Sequence, residues 1–378
     1  MPSILLVTND FGPRAGGIET FVIGLLERVP AAQVLVYTSF QEDAAEYDLE
    51  WLQNYQVEVI RDKAKVLLPT PRVVKALRKL IKTHQIETVW FGAAAPLAVS
   101  ARWLKGAGAK RMIALTHGHE VWWSKLWPFS IAIKEIARQL DHVTYLGAFT
   151  KKALEPRFVE PSKLIKIAPG IDTNHFKPND GRDLRAKYDL AERPVIISVG
   201  RLVHRKGQDR LVEALPKVLE RFPEATLVFV GEGPHRKVLD ELVAKNNLQN
   251  NVLFIGRIRY EDLPKYISMG DIFAMPSRSR LFGLEVEGLG IVYLEASACG
   301  LPVIGGASGG APDAVIDGKS GFVVDGNDLD QISNRCIQLL ESAELRLSMG
   351  RFGREWVEEN WRWEIWSKRF NELLELKN

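Results

Sequence analysis

Twice in this chain a short apolar run leads through a glycine-bounded loop into an amphipathic helical pattern, and this repeated unit restricts the fold more than any other feature. Ile4 to Thr8 runs into Gly12-Pro-Arg-Ala-Gly-Gly and then a helix from about Ile18 to Arg28. Val195 to Val199 runs into Gly200-Arg-Leu-Val-His-Arg-Lys-Gly and a helix from Gln208 onward. After the first opening, Val34 to Thr38, Val57 to Ile60, Thr88 to Phe91, Ile113 to Thr116 and His142 to Leu146 read as buried strands. After the second, Thr226 to Val230, Val252 to Gly256, Ile272 to Met275, Val303 to Gly305 and Gly321 to Val324 continue the series. Short apolar runs separated by helical patterns specify a parallel sheet with crossover helices. The turn-rich stretch Ala168-Pro-Gly-Ile-Asp-Thr-Asn-His-Phe-Lys-Pro separates the halves. The expectation is an α/β chain of two similar domains, residues 1–168 and 169–360. The aromatic helical segment from about 361 to 378 is expected to return to the first domain. A length of 378 residues suits two domains of ~150 residues each.

Composition removes several classes. The two cysteines, Cys299 and Cys336, form no Cys-x-x-Cys or Cys/His cluster, which argues against a disulfide framework or a structural zinc site. No apolar stretch approaches the ~18 residues of a membrane span. Met-Pro-Ser-Ile-Leu-Leu-Val reads as a first strand rather than a leader, so a cytoplasmic location is expected. A net charge of +3 is too mild to indicate a nucleic-acid partner.

The distribution of charge says more than its sum. Arg61, Lys63, Lys65, Arg72, Lys75, Arg78, Lys79 and Lys82 are opposed within their own stretch by Asp62 alone. Val73, Ala76, Leu77 and Leu80 fall at helical spacing, giving a basic amphipathic helix. Further on, Trp122, Trp123, Trp127 and Phe129 stand beside Lys125. Cations and tryptophans together suit an anionic membrane surface, although a core-facing helix with a solvated basic side fits the same pattern.

The densest chemistry lies between Glu287 and Val303. Glu287 and Glu295 stand eight residues apart, with Gly-Leu-Gly between them and small residues from Ala296 to Ala298. Glycines allow close backbone approach, so Glu287 is expected in a turn and Glu295 on the helix that follows. A carboxylate pair of this kind can grip sugar hydroxyls through charge-assisted hydrogen bonds, while a solvated pair would have the same spacing. Arg201 and Lys206 lie in the loop leaving a strand and entering a helix, where an open α/β sheet binds ligands and where two fixed cations neutralise a diphosphate. Gly16 and Gly17 occupy the equivalent place in the first half but fail the Gly-x-Gly-x-x-Gly spacing, and no Walker loop appears. Thr116-His117-Gly-His119-Glu120 follows a strand. As metal ligands these residues lack a third cluster, and a His at a strand end also suits positioning of a sugar hydroxyl. Asp328-Leu-Asp330 reads as a helix-capping turn rather than a metal site.

Together, Gly16-Gly17, His117, Arg201 with Lys206, Gly231-Glu-Gly-Pro and the segment from Glu287 to Val303 resemble the retaining glycosyltransferases of the GT-B type, in the large family marked by Glu-x7-Glu. The resemblance spans nearly the whole chain. It implies two Rossmann-like parallel-sheet domains with the active site in the cleft between them. It implies that Gly16 and Gly17 meet the donor phosphates, that Arg201 and Lys206 clamp the diphosphate, and that Glu287 holds the transferred sugar and Glu295 the ribose. Gly288, Leu289, Gly290 and Ile291 would line the donor, Ile258 would border the base, and His117 would lie near the reacting sugar. Asn9, Asp10 and His119 are the acceptor candidates. Asn9-Asp-Phe-Gly-Pro-Arg-Ala-Gly-Gly-Ile-Glu-Thr, Leu115-Thr-His-Gly-His-Glu-Val-Trp-Trp and Gly283-Leu-Glu-Val-Glu-Gly-Leu-Gly-Ile-Val-Tyr are most similar to the branch of actinobacterial phosphatidylinositol mannoside mannosyltransferases. That branch implies GDP-mannose as donor, a phosphatidylinositol mannoside lipid as acceptor, no metal cofactor, and peripheral association with the inner face of the plasma membrane. A glycosyltransferase with another nucleotide-sugar, a soluble sugar or another glycolipid is the alternative. One departure from the family is the longer stretch between Ser277 and Glu287, with Arg278 and Arg280, which reads as a mobile loop near donor or acceptor.

Overall fold

A computed structural model of the chain describes residues 2–13 and 16–376. The chain forms two compact units, Met1–Gly170 with Trp363–Asn378, and Ile171–Arg362. Each is built on an all-parallel sheet.

In the first unit seven strands lie in the order β3-β2-β1-β4-β5-β6-β7, comprising Ile4–Thr8, Val34–Thr38, Glu58–Arg61, Thr88–Phe91, Arg111–Ala114, His142–Tyr145 and Leu164–Lys166 as β1 to β7. β1 pairs in parallel with both β2 and β4, Leu5 standing opposite Leu35 on one side and Val89 on the other. The interior strands are buried on both faces and therefore read as continuous apolar runs, as parallel sheets do. The Pro71–His84 helix starts where Thr70 accepts a hydrogen bond from the Val73 amide, with proline at its first position. It buries Val73, Leu77 and Ile81 in a core shared with Leu97, Ala98, Ile133 and Ile136. The Trp363–Leu373 helix belongs to this unit, and Gly24 lies so close that a side-chain carbon there would meet the Trp363 ring at 2.4 Å.

In the second unit six strands lie in the order β10-β9-β8-β11-β12-β13, comprising Val195–Val199, Thr226–Val230, Val252–Gly256, Ile272–Met275, Val303–Gly306 and Gly321–Val324 as β8 to β13. In both sheets the order reverses beside the first strand, between β1 and β4 and between β8 and β11. An open α/β sheet offers a crevice at the carboxyl ends of its strands at that reversal. The loops that follow β1 and β8 both start there. Among the described residues no helix is long and apolar enough to cross a membrane.

Candidate active site

In the second unit the loop after β8 carries Arg201, Arg205 and Lys206. Gly207 ends it with φ of 75°, and a Cβ there would lie 2.1 Å from the Pro276 carbonyl, so only glycine lets the loop close onto the end of β11. Gln208 Nε2 donates to the Arg201 carbonyl at 3.3 Å. From this loop Arg205 Nη1 donates to Glu287 Oε2 at 2.6 Å, and Lys206 Nζ lies 2.8 Å from the same oxygen. The backbone of Glu287 is also fixed: its amide donates to Ser308 Oγ at 3.3 Å and its carbonyl accepts from the Gly310 amide at 2.8 Å. Gly309 holds φ of 55° beneath it, where a Cβ would come within 2.2 Å of the Glu287 carbonyl oxygen.

Glu287 thus sits in the turn and Glu295 in the Ile291–Ala298 helix, which opens at Gly290 with φ of 77°. Both carboxyls are buried, yet their protonation differs. Burial pushes Glu287 upward, but the Lys206 and Arg205 charges outweigh it and hold the group below the usual carboxylate range. Burial raises Glu295 to about 7, with Lys206 alone pulling back. One acid stays ionised and its partner is poised near neutrality. Gly288, Leu289 and Ile291 line the same turn. Ile258 is half-buried in the loop after β10, beside the Gly231 turn whose amide donates to the Gly256 carbonyl at 2.8 Å. Arg201 is exposed.

In the first unit His117 follows β5. Its ring Nε2 is 2.6 Å from the Gly92 carbonyl, which accepts only, so that nitrogen carries the proton and Nδ1 keeps its lone pair. Burial depresses the imidazole's pKa, against the pull of the Glu120 carboxylate, so the ring is neutral at pH 7. Glu120 accepts from the His117 amide at 2.9 Å and lies 3.3 Å from His119 Nε2. The two imidazoles lie nearly parallel with centroids 6.3 Å apart. Asn9 turns its amide onto the backbone of Leu67, donating at 3.0 Å and accepting at 2.6 Å, and so pins the segment leading to the basic helix. The Asp10 amide donates to Thr8 Oγ1 at 2.9 Å. Gly16 is extended at the head of the Gly17–Leu26 helix, and the Glu19 carboxylate fills the space where its side chain would be. Arg14 and Ala15, between the two glycine sites, lie outside the described residues.

The chain is similar along its length to known proteins. The Glyco_transf_4 family, Glycosyltransferase Family 4, matches residues 15–175, and Glycosyl transferases group 1 matches residues 180–356. A GDP-mannose-dependent alpha-(1-6)-phosphatidylinositol monomannoside mannosyltransferase of Mycolicibacterium smegmatis is 44% identical over 98% of both chains. The protein of that name from Mycobacterium tuberculosis is 42% identical over 99% of this chain and 98% of its own. The chain belongs to this family of glycosyltransferases. The fold agrees: Anabaena HepE, solved with UDP, superposes with a TM-score of 0.83 over 99% of this chain and 100% of its own at 20% identity.

Within this glycosyltransferase four features add to or differ from the sequence reading. Arg205, which lies in the same basic loop but was not singled out there, joins Lys206 on Glu287. Arg278 is not part of a loose loop. It is buried, its Nη2 donates to Asp209 Oδ2 at 2.5 Å and approaches the His204 ring, and its amide donates to the Arg205 carbonyl at 2.8 Å. Asp209 is remote in sequence, so no local signal marks this pair. The basic stretch is also less unopposed than it reads. Arg61 pairs with Asp48, Lys65 with Glu42 and Arg72 with Asp62, which leaves Lys63 in the preceding loop, and Lys75, Arg78, Lys79 and Lys82 on the helix, as the exposed surplus. Of the three tryptophans only Trp127 is strongly exposed, at 79%, while Trp122 and Trp123 meet each other and Phe129 with ring centroids about 5 Å apart. Asp328 caps the Leu329–Glu341 helix and Asp330 pairs with Lys217.

Proposed function

We infer that this glycosyltransferase moves mannose from GDP-mannose to a phosphatidylinositol monomannoside lipid, with retention at the anomeric carbon. The observation that carries the substrate assignment is the identity of 42–44%, over nearly the full length, with mannosyltransferases named for that donor and acceptor. A Corynebacterium glutamicum relative, 41% identical over 98% of this chain, is named for a monoacylated form of the same acceptor.

The residues have parts in this chemistry. The donor C1–O bond breaks toward an oxocarbenium-like sugar while negative charge grows on the departing diphosphate. Arg201, Arg205 and Lys206 supply positive charge to that diphosphate, and Glu287 holds the last two in place before the donor arrives. Charge fixed in advance where it will be needed stabilises the transition state without reorganisation. Glu287 then accepts from mannose hydroxyls and Glu295 from the ribose, with Gly288 to Ile291 lining the donor through the backbone. Gly16 and Gly17 offer amides at a helix N-terminus for phosphate. To His117, neutral and fixed through Gly92, falls the part of steadying the reacting sugar. The acceptor hydroxyl attacks from the side the diphosphate leaves, and its proton passes to the leaving phosphate oxygen. With the cations supplied by the protein, turnover needs no divalent metal.

The acceptor brings the enzyme to an anionic bilayer, where Lys75, Arg78, Lys79 and Lys82 dock it reversibly with Trp127 at the interface. Supporting this are the exposure of all five side chains and the absence of a carboxylate partner for the four cations among the described residues. The test is incubation with GDP-mannose and vesicles containing phosphatidylinositol monomannoside, in excess EDTA, with mass analysis of the lipid. A gain of one hexose is expected. Equal or faster transfer from UDP-glucose, or activity only after manganese is restored, contradicts the reading.

A further inference from the structure

The first unit contains a groove that the donor chemistry does not use. It lies between the Pro71–His84 helix and the Leu97–Trp103 turn and has a volume of about 740 Å³. Pro69, Val74 and Trp103 give it an apolar lining, and Lys75, Arg78, Lys79 and Lys82 stand around it. The helix sends Val73, Leu77 and Ile81 into the core, so Val74 points one step off the core face and stays half-buried. The approach is apolar too: Val66 and Leu68, on the segment pinned by Asn9, are 59% and 49% exposed. A solvated helix face has no reason to combine an apolar trough with a ring of unpaired cations, because each unpaired cation repels its neighbours.

We propose that this groove binds one acyl chain of an anionic bilayer phospholipid, its phosphate held by the surrounding cations, at a site separate from the sugar acceptor. The inference rests on the reading that the enzyme works at a membrane surface, and it adds something that reading lacks. A flat basic patch attracts an anionic surface at about 1 kcal/mol per cation whatever the chains beneath. A groove that swallows a chain gains with each methylene it buries. At ~0.8 kcal/mol per methylene, binding tightens about fourfold for each one until the groove is full.

The experiment uses the full-length enzyme and lysophosphatidylglycerol, which carries one chain and one negative charge, below its micelle concentration. Calorimetry with octanoyl and decanoyl chains is expected to show affinities differing by about fifteenfold. The matching lysophosphatidylcholine, with no net charge, is expected to bind more weakly at each length. Val74→Trp fills the trough without touching a cation, so chain-length dependence disappears while sedimentation with phosphatidylglycerol vesicles at low salt survives. The paired change Lys75→Ser and Lys79→Ser keeps the chain-length dependence and reduces the preference for glycerol over choline headgroups. This guards against a misfolded Val74→Trp variant. The lysolipid is also expected not to compete with a water-soluble mannosyl acceptor. Affinity independent of chain length in the wild type, or a Val74→Trp variant in folded form that binds as the wild type does, overturns the groove. Competition with the soluble acceptor moves the chain into the acceptor site and overturns it as well. If vesicles fail to sediment the enzyme while the lysolipid still binds with chain-length dependence, the membrane-docking reading falls and the groove stands.

Discussion

The two cation clusters of this enzyme are built in opposite ways. Arg205 and Lys206 in the second unit have side chains 28% and 12% exposed and share one oxygen of buried Glu287. Behind them Arg278 is fully enclosed on Asp209. Lys75, Arg78, Lys79 and Lys82 in the first unit are exposed, with no carboxylate partner among the described residues. Buried, paired charge is little screened by salt and is held in one geometry. Exposed charge is largely screened beyond the ~8 Å Debye length of physiological salt and adapts its geometry to what it meets. The first arrangement suits a diphosphate that must be placed to a fraction of an ångström. The second suits a surface with no fixed pattern of phosphates.

The comparison breaks most visibly at the exposed cluster. Changing Lys75, Arg78, Lys79 and Lys82 together to serine should weaken vesicle binding by up to ~4 kcal/mol, roughly a thousandfold, at low salt. Thermal stability should hardly move, since none of the four is paired. Unchanged co-sedimentation would leave the basic face merely solvated. The opposite signature is expected at Arg278→Met. Removing one partner strands Asp209 as an uncompensated buried charge, which costs about 3–5 kcal/mol of stability in denaturant melts. A loss under 1 kcal/mol would show that Asp209 is hydrated and that the clamp loop is not anchored there. Lys206→Ala should lower kcat about a hundredfold, the ~3 kcal/mol expected of one donor aimed at developing charge. An equal kcat with a raised donor KM would mean Lys206 only binds.

Glu295 sharpens the contrast through pH. Its folded pKa of about 7 lies above the ordinary 4.5, so the folded state holds the proton more tightly than the unfolded chain does. The stability this gives is present below about pH 4.5 and is lost as pH rises through 7. Glu295→Gln removes that dependence. The variant should equal the wild type below the ordinary pKa of 4.5 and exceed it by up to about 3 kcal/mol above pH 8 when no donor is bound. Donor binding, which favours the carboxylate, should release a proton near pH 7 in the wild type and none in the variant. Parallel stability curves for the two proteins would remove Glu295 from this role.

Much of this was legible in the chain. Both Gly-rich openings, the two parallel sheets and the placement of Glu287 in a turn with Glu295 on the next helix follow from apolar periodicity and glycine spacing, which are local. The basic loop was visible, but that Arg205 shares Glu287 with Lys206 depends on side-chain direction across a 3₁₀ turn at His204–Lys206. Arg278 looked like part of a mobile insertion because its partner Asp209 is reached only through the packing of β11 against β8. The surplus of charge near the basic helix was overcounted for the same reason, since Asp48 and Glu42 come from a different part of the chain. β7 escaped notice because Leu164–Lys166 is too short to show a period.

The division of labour between the clusters is tested most directly by salt. The enzyme would be assayed with GDP-mannose and either phosphatidylinositol monomannoside in anionic vesicles or its deacylated, water-soluble counterpart, from low to physiological ionic strength and beyond. The apparent KM for the vesicle acceptor should rise steeply with salt, while that for the soluble acceptor and the donor KM in both assays stay nearly level. A vesicle reaction indifferent to salt, or a donor KM that climbs as steeply as the acceptor's, would contradict the account.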